Sequence, residues 1–245
     1  MPKHDSPVPL YVQIKDYIRL NIQNGVYTVN ERIPSERQLA EQFDVNRLTV
    51  SKALNELAQE GLVYSQVGKG TYVAPAKIDQ ALHTLTSFSQ DMSSRGKCAS
   101  SRVLHAAVDH ATEEVARALS ILPGAEIVAL HRLRLANEQA IAYERSHVVY
   151  ALCPGILERH DFIRDSLYAV LREDYGLHLT YAHQTIEART ASEEEARVLE
   201  ADTNTPILGI TRTTYNEQNR PIEFVRSAYR GDRYKFYTVL RTVES

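Results

Sequence analysis

Cysteine is almost missing from this chain. Cys98 and Cys153 are the only two, too few for a disulfide framework. Neither sits in a CxxC or Cys/His ligand spacing, so no structural metal is expected, and free thiols fit a reducing cytoplasm. Long apolar runs are missing too: nothing approaches the roughly 18 residues of a membrane span. The opening MPKHDSPVPLY has no apolar stretch of the kind a signal peptide needs. A soluble, cytoplasmic protein is the expectation. Excess charge is also lacking, with a net value of −3 over 245 residues. Residues 1–75 carry eight Lys/Arg and eight Asp/Glu, so attraction to a polyanion has to come from charge placement rather than charge total. Catalytic signatures are equally scarce. There is no HExxH, no Walker pattern around Lys69, and no Ser/His/Asp or Cys/His order in a recognisable motif. An enzyme is not expected, nor is any cofactor.

What is present suffices for two domains: 43% hydrophobic and 24% charged residues are ordinary globular values. Leu10, Val12, Ile14, Tyr17, Ile18 and Ile22 recur at near-helical spacing, and Gly25 stops that helix. Ser35 with Gln38 three residues on is a capping-box signature for a second helix to Phe43. Asp44-Val45-Asn46 makes a turn, and Asn46 caps a third helix that turns Val50, Ala53, Leu54 and Leu57 inward and ends at Gly61. Strands at Leu62-Val63-Tyr64 and Thr71-Tyr72-Val73 flank Gly68-Lys69-Gly70. This is a winged helix-turn-helix over residues 1–75.

A helix of this size fits the DNA major groove and presents its first turn to base edges. That turn carries Arg47, Thr49, Ser51 and Lys52. Arg47 suits a bidentate contact to guanine. Arg37 points toward the same surface, and Lys69 at the wing tip suits the neighbouring minor groove, with Gly70 permitting close approach. The stretches PLYVQIKDYI, IPSERQLAEQF, VNRLTVSKAL and EGLVYSQVGKGTYV resemble the GntR family of bacterial transcription regulators. That resemblance implies DNA contacts at Arg37, Arg47, Thr49, Lys69 and Gly70. The chain departs from the family where an arginine often follows the Thr-Val pair; here Ser51 and Lys52 follow.

Residues 76–86 read as a linker, and residues 87–245 as a second domain whose regular part starts near Ser101. That domain repeats itself at about 80 residues. Ala111–Leu119 aligns with Ala191–Leu199, each a helix with a Thr or Ser cap, and each is followed by a β-hairpin. Arg132 and Arg212 share the 80-residue offset, while Arg145-Ser146 and Arg226-Ser227 lie 81 apart. A duplicated α+β domain with a mainly antiparallel sheet follows.

Arg132 and Arg134 lie two apart on a strand and so share a face. Paired guanidiniums suit a phosphate or carboxylate. Glu144, on the partner strand, binds hydroxyls or pairs with an arginine. Ser166 and Tyr168 sit at the start of a helix, where backbone N–H groups favour anions. Internal salt bridges and a serine cap are the alternative. The stretches LTSFSQDMSSRG, HRLRLAN, YERSH, DSLY and YRGDRY resemble the effector (UTRA) domain of the HutC subfamily, which has a chorismate-lyase-like fold. They are similar in particular to repressors of N-acetylglucosamine utilisation.

This resemblance implies phosphate binding at Ser87, Arg132, Arg134, Ser166 and Tyr168, and sugar contacts at Glu144, Glu223 and Tyr229. One winged module buries too little surface to select a site, so a homodimer joined through residues 87–245 on an inverted-repeat operator is expected, released by a small anion such as N-acetylglucosamine-6-phosphate or glucosamine-6-phosphate. A non-sugar carboxylate such as urocanate is the alternative effector, and a lyase-like enzyme the remote one.

Overall fold

The computed structural model describes residues 7–66, 68–75, 77–82 and 84–240. It divides into two compact units, the first ending at Lys77 and the second starting at Ile78.

In the first unit, α1 (Leu10–Gln23), α2 (Glu36–Phe43) and α3 (Arg47–Gln59) precede a hairpin of β1 (Val63–Gln66) and β2 (Gly70–Val73). The local signals act as their chemistry dictates. Ser35 and Gln38 form a reciprocal capping box at α2, and Asp44 takes the left-handed conformation (φ 52°) that ends it. Asn46 Oδ1 then accepts the backbone N–H of Thr49, 2.8 Å away, to start α3. Ile14, Ile18, Leu39, Phe43, Val50, Ala53, Leu54 and Leu57 meet Ile33, Val63 and Val73 in one core. The segment before α2 also pairs with the wing: Ile33 N–H donates to Thr71 O, and Val73 N–H to Glu31 O, each at 2.9 Å.

The second unit runs β3 (Ile78–Ala81), α4 (Phe88–Ser93), β4 (Ala99–His110), α5 (Glu113–Leu119), β5 (Glu126–Ala136) and β6 (Gln139–Val149). It continues through α6 (Ile156–Arg159), α7 (Leu167–Glu173), β7 (Leu179–Thr190), α8 (Glu193–Val198), β8 (Pro206–Asn216), β9 (Pro221–Arg230) and β10 (Tyr234–Tyr237). Six strands form an antiparallel sheet ordered β4-β5-β6-β9-β8-β7. The repeat is therefore larger than the helix-plus-hairpin expected. Each copy also owns the long strand before its helix, so β4-α5-β5-β6 matches β7-α8-β8-β9, and the two copies join at β6 and β9.

The sheet is covered on both faces. One face carries α5, packed on Ile127, Val149 and Phe224, and α8, packed on Leu133, Tyr143, Ile207 and Ala228. The other carries α6 and α7 over Val128, Leu130, Val148 and Ile222, and α4 with β3 and β10 over Ala142, Ile210 and Tyr229. Residues 78–81 fell inside the span read as a linker, yet they form β3, hydrogen-bonded in parallel to β10. The hydrogen-bonded partner lies some 150 residues away, where local sequence cannot announce it. Among the described residues no helix is long and apolar enough to cross a membrane.

Candidate functional site

The first turn of α3 presents Arg47 and Leu48 to solvent. Of the residues nominated with Arg47, several are already engaged. The Thr49 hydroxyl donates to Asn46 Oδ1 at 2.8 Å, Ser51 is half-buried, and Lys52 Nζ lies 3.7 Å above the Tyr11 ring. Arg37 is exposed and paired to Glu41 at 3.0 Å. Lys69 is exposed beside Gly70, whose φ of 117° needs glycine. Arg32 was not anticipated: its Nε would lie 2.6 Å from any Cβ added at Gly70, so its guanidinium rests against the wing.

The neutrality of this unit also acquires a pattern. Glu56 of α3 and Glu60 at its C-terminal cap pair with Lys15 and Arg19 of α1, while Arg47 and Lys52 are the only charged side chains in the first two turns of α3.

In the second unit, all eight residues nominated for a ligand line one cavity: Ser87, Arg132, Arg134, Glu144, Ser166, Tyr168, Glu223 and Tyr229. The sheet is its floor, with α4, β3 and β10 on one side and the start of α7 on the other. Arg132 is 3% exposed and donates through Nε and Nη2 to Glu144 Oε1, at 3.2 and 2.6 Å. Arg134, also 3% exposed, donates to Ser101 Oγ at 2.7 Å and lies 4.5 Å above the Phe88 ring. Two buried donors, Arg132 Nη1 and Arg134 Nε, have no acceptor among the described residues. Glu223 accepts from Ser146 Oγ at 2.6 Å and from the Tyr168 hydroxyl at 2.8 Å. Ser166 opens α7 without a side-chain capping bond, so its hydroxyl is not consumed as a cap, unlike that of Ser87, which caps α4.

The charges are unequal. Burial alone would raise the Glu144 carboxyl, but Arg132 and Arg134 outweigh it and hold it below its ordinary range. Burial raises Glu223, and the charge on Glu144 adds to this against the hydrogen bonds from Ser146 and Tyr168. Burial and then Arg132 push Arg134 down to about 10, still cationic at neutral pH. Neither Arg134 nor Arg212 forms an ion pair with a carboxylate among the described residues. Arg132, Arg134 and Arg212 stand among Asp91, Glu144 and Glu223 in a hydroxyl-lined chamber, and the guanidinium N–H groups without an acceptor suit it to an anion that also carries hydroxyl groups.

Ten further residues line the cavity, among them Gln80, Asp91, Arg212 and Tyr234. Arg212 held a signal in plain sight, since it is the repeat counterpart of Arg132; its Nε donates to Gln184 Oε1 at 2.7 Å. Gln80, Asp91 and Tyr234 had none. The Tyr234 hydroxyl lies 2.8 Å from both Gln80 Oε1 and Asp91 Oδ2, joining three segments far apart in sequence.

Comparison with known proteins gives the same partition. The family described as "Bacterial regulatory proteins, gntR family" matches residues 10–73, and the "UTRA domain" matches residues 94–235. The HTH-type transcriptional repressor NagR of Bacillus subtilis is 39% identical over 94% of each chain. The histidine utilization repressor of Pseudomonas putida is 30% identical over 94% of this chain and 92% of its own. The crystal structure of PhnF from Mycobacterium smegmatis superposes with a TM-score of 0.68 at 30% identity, covering 94% of this chain and all of that one.

Proposed function

Because this chain belongs to the GntR family of bacterial regulatory proteins and carries a UTRA domain, we propose that it is a homodimeric, cytoplasmic repressor released from its operator by an amino-sugar phosphate. The observation that carries the effector reading is the pair of acceptorless buried donors, Arg132 Nη1 and Arg134 Nε, facing one cavity. A phosphate accepts from both and from the hydroxyls of Ser87 and Ser166, and from Tyr168 once its O–H turns away from Glu223. Glu144, Glu223 and Tyr229 take the sugar hydroxyls. The resemblance of the second domain to repressors of N-acetylglucosamine utilisation favours glucosamine-6-phosphate or N-acetylglucosamine-6-phosphate. Likeness to the histidine utilization repressor supports a second reading, a carboxylate such as urocanate on the same arginines.

On the DNA side, Arg47 reads a base from the first turn of α3, Arg37 exchanges Glu41 for a phosphate, and Lys69 and Gly70 bring the wing to the adjacent groove. Thr49, Ser51 and Lys52 support these contacts from the same helix. Two copies on an inverted repeat supply the surface that a single module lacks.

Release follows from the chain's connectivity. A ligand that closes the segments around Arg132, Arg134 and Ser166 shifts the cavity walls. Gln80 on β3 is one wall residue, and it stands three positions after Lys77, the last residue of the first unit. An effector that moves β3 thus pulls on the segment leading to the DNA reader. A hundredfold loss of operator affinity needs about 2.7 kcal/mol of preference for the off-DNA state.

The test is thermal denaturation with glucosamine-6-phosphate, N-acetylglucosamine-6-phosphate, inorganic phosphate and urocanate. A sugar phosphate should raise the melting temperature more than phosphate alone. A shift with urocanate only would replace the sugar reading by the carboxylate one, and no shift with any of the four would sink the effector assignment.

A further inference from the structure

Leu48 is 81% exposed, although it sits in the middle of the surface on which the operator reading rests. Helix α3 buries Val50, Ala53, Leu54 and Leu57. At about 100° per residue, Leu48 lies within about 10° of the direction opposite the mean of those four. It therefore points straight away from the domain core, in the turn that enters deepest when such a helix docks in a major groove. Its neighbours on the helix do not share this position. Thr49 folds its hydroxyl back onto Asn46, Ser51 is half-buried, and Lys52 leans onto Tyr11. The outermost side chain of the first turn is aliphatic and stands largely in solvent.

The major-groove floor offers one apolar feature, the C5-methyl group of thymine. We infer that Leu48 is a specificity-determining residue that recognises a thymine in each half-site through that methyl group. Arg47 beside it supplies a directional hydrogen-bonding contact to a neighbouring base or phosphate. Leu48 supplies shape and desolvation, and it disfavours cytosine at the same position, where C5 carries hydrogen instead of the methyl and an amino donor replaces the O4 acceptor beside it.

This inference rests on the operator-binding reading, so the experiment separates the two. The full-length protein selects its site from a pool of random duplexes. Each thymine of the selected site is then replaced by uracil, which removes only the methyl group. The expected result is a loss of about three- to fivefold in affinity at one thymine per half-site, the effect of one buried methyl. Leu48→Ala should bind the thymine and uracil duplexes equally well, at an unchanged melting temperature. A site with no methyl-sensitive thymine overturns the inference, as does a Leu48→Ala variant that keeps the full sensitivity. Selection that enriches no sequence overturns the operator reading first and this inference with it.

Discussion

Arg145 and Arg226 lie directly opposite one another across the β6–β9 pairing. They are also the equivalent residues of the two repeat copies, so the pseudo-twofold axis of the second unit passes between them, normal to the sheet. On their own face, the like charges are relieved by Glu194 of α8 and Glu114 of α5, which themselves occupy matching places. On the opposite face, the same operation relates Arg132 to Arg212, and both line the cavity. Duplication thus gives the cavity a symmetric floor. The segments that roof it, β3, β10 and α4 on one side and α7 on the other, are unrelated, which makes the chamber fit for a ligand with two different ends.

The tight pairing of Arg132 with Glu144 changes what a simple substitution will report. Arg132→Ala leaves the half-buried Glu144 carboxylate without its ion-pair partner, a loss of up to about 3 kcal/mol. Chemical denaturation should show that penalty. Arg132→Ala combined with Glu144→Gln should recover most of the stability while remaining unresponsive to phosphorylated sugars. If the double variant stayed as unstable as the single, the penalty would lie elsewhere than in the orphaned charge.

Acid should loosen the second unit before its carboxylates titrate. Burial, then the neighbouring His147, His105 and Arg145, push His131 down to about 4 from an ordinary 6.5. The unfolded chain therefore takes up this proton first as pH falls. The contribution to stability is complete above about 6.5 and drains away toward about 4. Melting temperature should drop by several degrees from about pH 7 to about pH 5, and His131→Phe should flatten that slope. An identical slope in the variant would remove His131 from the account.

The wing tolerates no side chain at Gly70. Its φ of 117° strains any other residue, and an added Cβ would push Arg32 aside. Gly70→Ala should destabilise the first unit by about 1–3 kcal/mol. It should also weaken binding to a selected duplex while leaving effector-induced stabilisation of the second unit unchanged. Wild-type duplex affinity would remove the wing from the contact surface.

Legibility in the sequence followed distance along the chain. Ser35 with Gln38 and Asn46 with Thr49 act within a single turn, so the helix starts could be read directly. Arg132 and Arg134 were placed by strand alternation alone. Strands β4 and β7 escaped notice because both are sheet edges with most residues exposed or half-exposed, which weakens the apolar alternation on which strand recognition depends. Gln80, Asp91 and Tyr234 escaped because their meeting exists only once the fold has formed. In the sequence Leu48 is one apolar residue beside chemically richer neighbours, and only its exposure in the fold sets it apart.

The parallel pairing of β3 with β10 means that the effector unit fastens its first strand with its last. Arg233 and Ile78 meet through a 2.8 Å backbone hydrogen bond at one end of that pairing, and Leu82 and Tyr237 through one of 3.0 Å at the other. Shortening the protein from its tail would therefore unzip the strand that follows the DNA reader. A lesion confined to the final dozen residues would be felt as a fault in signalling rather than as a missing tail.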